Sequence, residues 1–412
     1  MKKRVLALNI ALFLAADILV TGFILDKSNK KANQMPTFNP PTTSVSEEIT
    51  PPTEETEYTI EEIIPEETTE PTQPVIKTEV GVITKDAVMY AAPAENALDI
   101  GNLYISDKAY KILSDINGYD LVRTDEDKIG FIYSDSINYT AEQVDSPYEV
   151  TLRNDIVVTT TNLNLRKGPS TDYEKYRVLE PNTELQVIGE TLDWLLVHLN
   201  GEIGFVHKDY TYSVLSKINE KYPELNLNEL NVKKVVEVNS GTNYRQEPNT
   251  DCEIIREFSK SETMRVLGEY DGWYLGITDD YEIGYVAKEL TSDLEGIFID
   301  TDILTQRMRM YNGNQLLYYT RVKTGKDSTP TTPGHFKIDW MGEHANIVGD
   351  IVVNYWMHYY NGEGIHDLIE CTSYGEDDYH YAGSNGCTRT PLENVAKIYK
   401  KASIGTPVIV HQ

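Results

Sequence analysis

Three stretches of this chain repeat one another, and that repeat constrains the fold more tightly than any other feature. Pro93, Pro169 and Pro248 each open a unit, and Gly130, Gly204 and Gly284 each close one, in I-G-F, I-G-F and I-G-Y. The Pro-to-Gly gaps are 37, 35 and 36 residues, a length that suits small domains rather than solenoid repeats. Between the markers lie short alternating runs, E-L-Q-V-I-G at 184–189 and M-R-V-L-G at 264–268, and D-W-L-L-V at 193–197 matches G-W-Y-L-G at 272–276. Short strands broken by turn residues predict small all-β barrels. Trp194 and Trp273 can be read as filling the barrel cores, which would leave the units as spacers. The segments between units, 137–156 and 213–233, read as short polar linkers. Asn-Leu repeats in the second suit a helical turn.

The N-terminal part has a different character. Lys2, Lys3 and Arg4 precede an apolar run from Val5 to Leu25, and those 21 residues are long enough to span a bilayer. Asn9 and Asp17 interrupt the run, and Lys27, Lys30 and Lys31 follow it. The expectation is a cytoplasmic tail at 1–4, an uncleaved transmembrane anchor at 5–25 and a disordered Pro/Thr/Glu linker at 26–79. Residues 32–78 hold eight prolines and ten glutamates, so this part cannot bury a core. The bulk of the chain is then extracytoplasmic. A net charge of −28 argues against phosphate-backbone binding, so no nucleic-acid partner is expected.

Chemistry concentrates between residues 364 and 393. The chain reads G-I-H-D at 364–367 and S-N-G-C-T-R-T-P-L-E at 384–393. Thr390, Pro391 and Glu393 suggest a capping box with Pro at the first helical position. Leu392, Val395, Ala396 and Tyr399 then repeat on one helical face. Cys387 thus precedes a helix start, and His366 is a base that could take its proton. Three other readings stand beside this one. Cys387 could be a small buried hydrophobe. His366, Cys371, His380 and Cys387 could ligate zinc, although no close Cys pair is present. Cys371 and Cys387 could form a disulfide. Glu370, Glu376, Asp377 and Asp378 lie between the two candidates, either as a solvated loop or as an attractor for a cationic amine.

Upstream, V-K-T-G-K stands at 322–326, T-P-T-T-P-G-H-F at 329–336 and Y-W-M at 355–357, and G-T-P-V-I-V closes the chain at 405–410. Seventeen residues separate His366 from Ser384. Together these motifs resemble the L,D-transpeptidase catalytic domain, over about 294–412. Two positions depart from the pattern: Asn385 stands where the family usually has a His, and Thr388 replaces an apolar residue. The resemblance implies that Cys387 is the nucleophile and His366 the general acid/base, with the Asp367 backbone carbonyl orienting the base. Backbone N–H groups of Asn385, Gly386 and Cys387 would hold the oxyanion. Ser384, Arg389 and Tyr355 would support the turn or the substrate, and no metal or organic cofactor is implied.

L-N-L-R-K-G-P-S at 163–170 and N-Y-R-Q-E-P at 243–248 give the repeats a resemblance to bacterial SH3-like modules; M-Y-A-A-P at 89–93 is divergent. The modules are expected at 80–136, 157–212 and 234–292. The fold class is therefore mainly β: three small SH3-like β-barrels followed by a mainly β L,D-transpeptidase catalytic domain with a late helix. The implied function is a membrane-anchored, wall-directed enzyme. It would form a Cys thioester with a peptidoglycan stem peptide and pass it to an acceptor amine, with the cell wall as partner of the modules. The rivals are an L,D-carboxypeptidase or endopeptidase using the same thioester, and a non-catalytic wall-binding scaffold.

Overall fold

The computed structural model describes residues 76–348 and 351–412. The expected tail and anchor, and nearly all of the expected linker, lie outside the described residues. Among those described, no helix is long and apolar enough to cross a membrane.

Each repeat forms a seven-stranded sheet, and in all three the strands lie in the same order, 3-2-6-5-4-1-7. The divergent first module is thus built like the others. Its strands run from Lys77–Ile83 to Ile137–Asp145, the second module's from Thr151–Thr159 to Thr211–Ser213, and the third's from Lys234–Val238 to Thr291–Leu294. The repeating glycines have a steric reason. A Cβ on Gly204 would sit 2.6 Å from the Arg166 carbonyl, and one on Gly284 would sit 2.7 Å from the Arg245 carbonyl. The same arginines close their loops: Arg166 donates to Thr171 O and Tyr173 O, and Arg245 to Thr250 O and Cys252 O. Tyr90 occupies the matching register position in the first module, opposite Phe131, so its loop closes without the arginine.

The segments read as linkers are structural. Ile137–Asp145 is the last strand of the first barrel and pairs with Lys77–Ile83. In the second segment the helix is Val214–Lys221, ahead of the Asn-Leu repeats. Those repeats stay irregular because Leu225, Leu227 and Leu230 turn into a core shared by the second and third modules. Trp194 and Trp273 do not fill the barrels. Trp194 packs on the seam between the first two modules and Trp273 on the seam between the last two.

The C-terminal domain has a five-stranded and a four-stranded sheet. In the first, Arg307–Asn312 and Gln315–Arg321 form a hairpin that turns at Asn312-Gly313, a strong hairpin-turn pair. The closing strand Pro407–His411 runs parallel to Ile297–Asp302. In the second, Trp340–Val348, Ile351–Tyr360, Glu363–His366 and Thr388–Arg389 lie side by side. The helix Leu392–Lys401 buries Val395 and Ile398 against this core. The capping box is not formed. Pro391 is the N-cap, and no side chain caps the helix. Thr390 gives its N–H to His366 O, and its hydroxyl turns to Thr388 O. Glu393 reaches Arg177 and Lys397 instead, and Leu392 is exposed.

The modules are not beads on a string. Ala91 and Leu98 of the first join the main catalytic core. Tyr319 of the catalytic hairpin joins the core of the second module, and Val235 and Leu294 of the third pack with Phe298, Tyr311 and Ile409. Buried ion pairs cross the same boundaries. Arg309, fully buried, meets Glu184 of the second module at 2.8 Å and is ion-paired with Asp279 of the third.

Candidate active site

Strand register brings Cys387 and His366 together. His366 pairs with Arg389 and Ile365 with Thr388, in parallel. Side chains alternate along strands, so His366, Arg389 and Cys387, two residues before Arg389, share one face. Trp356, opposite His366 in register, confirms this. Its ring lies 5.4 Å from the imidazole, and Cys387 packs against the same buried cluster of Trp356, Val353 and Ala345. Gly364 leaves room for that ring: a Cβ there would sit 2.7 Å from it.

The imidazole has one available tautomer. His366 Nδ1 lies 2.6 Å from the Asp367 carbonyl oxygen. A carbonyl can only accept, so Nδ1 carries the proton and Nε2 is left as the basic atom. The Asp367 carboxylate anchors this arrangement by accepting from Asn354 N, Asn354 Nδ2 and Tyr355 N at 3.2, 2.7 and 2.9 Å. Burial lowers the His366 pKa, and the nearby Arg389 charge lowers it further. Burial raises the Cys387 pKa; Glu363 adds to the rise and Arg389 opposes it. Both groups therefore rest neutral. The thiol's contact is Gly362 O at 3.8 Å, and among the described residues no hydrogen bond joins it to His366.

The turn before Cys387 is held from the other side. Thr331 Oγ1 accepts from Gly325 N and donates to Gly386 O, both at 2.8 Å. Lys326 N and Thr329 Oγ1 donate to Ser384 O at 3.1 and 3.0 Å. In a trans peptide the N–H points opposite its carbonyl. The N–H groups of Asn385 and Cys387 thus point away from the 325–331 loop. Gly386 differs: its N–H is taken by Ser384 Oγ at 3.0 Å, while that hydroxyl donates to Cys387 O at 2.5 Å. Of the three N–H groups expected to hold an oxyanion, that of Gly386 is therefore bonded within the turn. Gly386 has φ +114°, and a Cβ there would meet Glu363 Cγ at 3.1 Å, so only glycine fits. Glu363 is fixed by Thr332, through its N–H at 3.0 Å and its hydroxyl at 2.6 Å.

Tyr355 turns to the other face of its strand and packs on Tyr399, ring centroids 5.1 Å apart. Trp356, one residue on, is the site aromatic that sequence reasoning missed, and strict alternation in Y-W-M was the available signal. Thr331, Thr332 and Glu363 were missed too, because nothing local marks a loop residue's distant partner. Of the other Cys387 readings, packing as a small hydrophobe is compatible with its contact to Trp356, Val353 and Ala345, whereas the disulfide and the four-ligand cluster are not formed. Cys371 and Cys387 are both free thiols. His380 turns to Asp327 at 2.8 Å, and among the described residues the ligand-type side chains that gather within 4.8 Å are Asp279, Asp300 and His411. Asp378 of the acidic loop is paired with Lys323 at 2.7 Å. A cavity of about 660 Å³ between the second module and the catalytic domain is lined by Leu179, Tyr319, Asp367, Ile369 and Leu392, but by neither Cys387 nor His366.

Comparison with known proteins divides the chain as the strands do. The bacterial SH3 domain family matches residues 161–212 and 240–292, and the L,D-transpeptidase catalytic domain family (YkuD) matches 296–410. The first module lies outside both SH3 matches. Among solved structures, an Enterococcus faecium L,D-transpeptidase catalytic domain is 32% identical, with 28% of this chain and 98% of that chain covered at a TM-score of 0.27. An L,D-transpeptidase from Mycobacterium smegmatis is 14% identical, covering 44% of this chain and 98% of that one at a TM-score of 0.25. A Bacillus subtilis protein named for N-acetylmuramoyl-L-alanine amidase activity, YrvJ, is 27% identical over 130 residues, 31% of this chain. The chain spans 24% of that relative's length.

Proposed function

With an L,D-transpeptidase catalytic domain at its C-terminus and bacterial SH3 domains before it, the chain is one that we propose cross-links peptidoglycan through a thioester on Cys387. His366 Nε2 takes the thiol proton as sulfur attacks the donor carbonyl of a stem peptide. The oxyanion that forms is held by the N–H groups of Asn385 and Cys387. As the C–N bond breaks, His366 returns the proton to the departing amine. An acceptor amine from a neighbouring stem then attacks the thioester, gives its proton to His366, and frees the thiol. The SH3 domains hold the enzyme on the wall. The N-terminal run 5–25 would anchor it to the membrane, with everything after it extracytoplasmic.

The observation that carries this reading is the fixed tautomer: a buried neutral imidazole, with Nδ1 committed to Asp367 O and Nε2 free, on the sheet face that bears Cys387. The test is mass spectrometry of products made by the full chain from purified stem tetrapeptides with and without an acceptor stem. Cross-linked dimer supports transfer. Shortened stem alone would make the protein a hydrolase. No product, together with no drug adduct on Cys387 after carbapenem treatment, would overturn the catalytic reading in favour of a scaffold.

A further inference from the structure

A cavity of about 340 Å³ lies where all four folded units meet. Asn117 lines it from the first module, Gln186 and His198 from the second, Asn231 from the segment after that module, Arg265 from the third and Gln315 from the catalytic hairpin. Asn154 and Asn314 bring the amide side chains to six. Among the described residues Asn117, Asn231 and Gln315 make no side-chain hydrogen bond. Gln186, Asn154 and Asn314 spend their NH₂ groups on Glu184, Glu229 and Val232 O at 3.3, 2.9 and 3.1 Å, which leaves their amide oxygens unbonded. His198 is 6% exposed. Gly201 N donates to its Nε2 at 3.0 Å, so the proton is on Nδ1, and burial lowers the pKa to about 4. The ring is thus a neutral donor whose Nδ1 has no partner among the described residues. The charged residues of the lining, Asp155 and Arg265, are buried and already paired: Asp155 with Arg153 and Ser213 at 2.7 and 2.6 Å, Arg265 with Glu184 at 3.2 Å. In a chain that is 25% charged, this lining offers donors and acceptors but no free charge. Ile116, Leu152 and Leu316 add apolar surface, and Leu152 is exposed, so the cavity opens to solvent.

We infer that this junction cavity is a receptor for the sugar chain of the wall, a neutral N-acetylated saccharide. The inference rests on the wall-binding reading of the modules and is independent of the acyl-transfer chemistry. Hydroxyl and acetamido groups both donate and accept, as the amides and His198 around the cavity do. The C–H faces of a sugar ring pack on Ile116, Leu152 and Leu316. A stem peptide fits this lining poorly, because its free carboxylate and amine would leave water without a counter-charge. The volume is at the small end of the range for ligand sites. All three modules and the catalytic hairpin contribute to the wall of the cavity, so a bound saccharide holds them in the docked arrangement and stabilises it.

The experiment titrates the full chain with three probes: the disaccharide of N-acetylglucosamine, its deacetylated counterpart, and a stem tetrapeptide. The acetylated disaccharide should bind and raise the thermal midpoint, and the other two should do neither. Gln315→Glu and Asn231→Asp keep the side-chain shape, remove a donor and bring in a charge, so each should weaken the disaccharide about tenfold. Asn117→Asp should weaken it too, and because Asn117 is exposed in a turn, loss of binding there is not loss of the fold. No disaccharide binding, equal binding of all three probes, or binding unmoved by all three variants would overturn the inference. Pull-down with purified sacculi separates its failure from that of the wall-binding reading. Sacculi that retain the full chain and the three variants alike leave the modules as wall binders and remove the cavity as the receptor. Disaccharide binding that the variants weaken, in a chain that sacculi do not retain, keeps the cavity as a saccharide site and removes the wall-binding reading.

Discussion

One environment moves the His366 and Cys387 pKa values in opposite directions. Burial pushes the imidazole pKa down and the thiol pKa up, so neither carries charge at rest. Such a histidine stays a competent base below the usual histidine pKa, and the acid limb of kcat/KM should lie below pH 6.5. Arg389 makes this testable, because its charge holds both pKa values down. Arg389→Met should move the acid limb to higher pH, read from the pH dependence of Cys387 acylation. An arginine that only supported the turn would lower the rate without moving the limb. The stability sign follows: a histidine with a lowered folded value contributes stability above its unfolded pKa and loses it as pH falls. That His366 and Cys387 belong to one sheet region was legible through the motif resemblance, and the strand register agrees with it. The tautomer, the Gly386–Ser384 bond and the Trp356 contact to His366 were not legible, since each depends on which atom a folded neighbour offers.

At the scale of elements, the strand-and-turn grammar read well and the helix start did not. The hairpin turns at Asn312-Gly313, a pair that favours such turns, the closing strand stands where G-T-P-V-I-V ends the resemblance, and residues 326–333 form a loop between strands. Thr390 does not cap because the helix begins one residue later, with Pro391 as N-cap, and the N–H that Glu393 would take in a capping box goes to His366 O; a tertiary contact outbid a local one. The same loop carries a brace with no sequence signature. Thr331, fully buried, links Gly325 N to Gly386 O and so aims the Gly386–Cys387 peptide. Thr331→Val keeps the shape and deletes the hydroxyl, stranding one buried donor and one buried acceptor. It should cost about 1–3 kcal/mol of stability and slow Cys387 acylation. Thr331→Ser, which keeps the hydroxyl, should restore the rate. If valine and serine acylate alike, the brace does not position the turn.

The whole molecule departs furthest from what the repeat suggested. Three units of one topology are legible in Pro and Gly spacing, but nothing local says that they dock. The hint was Arg307 and Arg309 alternating with Met308 and Met310, which reads as a strand with one wet face. That face is instead covered by the modules, and Arg309 is fully buried. It carries Glu184 and Asp279, Arg265 lies 3.2 Å from Glu184, and His411 pairs with Asp300 at 3.1 Å. Burial alone would raise the Glu184 pKa, yet Arg309 and Arg265 hold it down at about 2. Burial alone would lower that of His411, yet Asp300 lifts it to about 10. The two groups bound a pH window. Glu184 contributes stability that is present above its unfolded value of 4.5 and lost as pH falls toward 2. His411 contributes stability that is present below 6.5 and lost as pH rises toward 10. Thermal unfolding of residues 76–412 should therefore fall off on the alkaline side, and His411→Gln should flatten that decline while lowering the neutral-pH maximum. Arg309→Met removes the nearer of the two guanidiniums that hold Glu184 and Asp279, leaving Arg265 alone to serve both buried carboxylates, and should cost about 3–5 kcal/mol. Because the cluster ties the second and third modules to the catalytic domain, that loss should appear in all of them as a single shifted transition. An Arg309→Met protein that melts in two separate steps, with the modules unshifted, would show that the domains are stable independently and that the cluster does not join them.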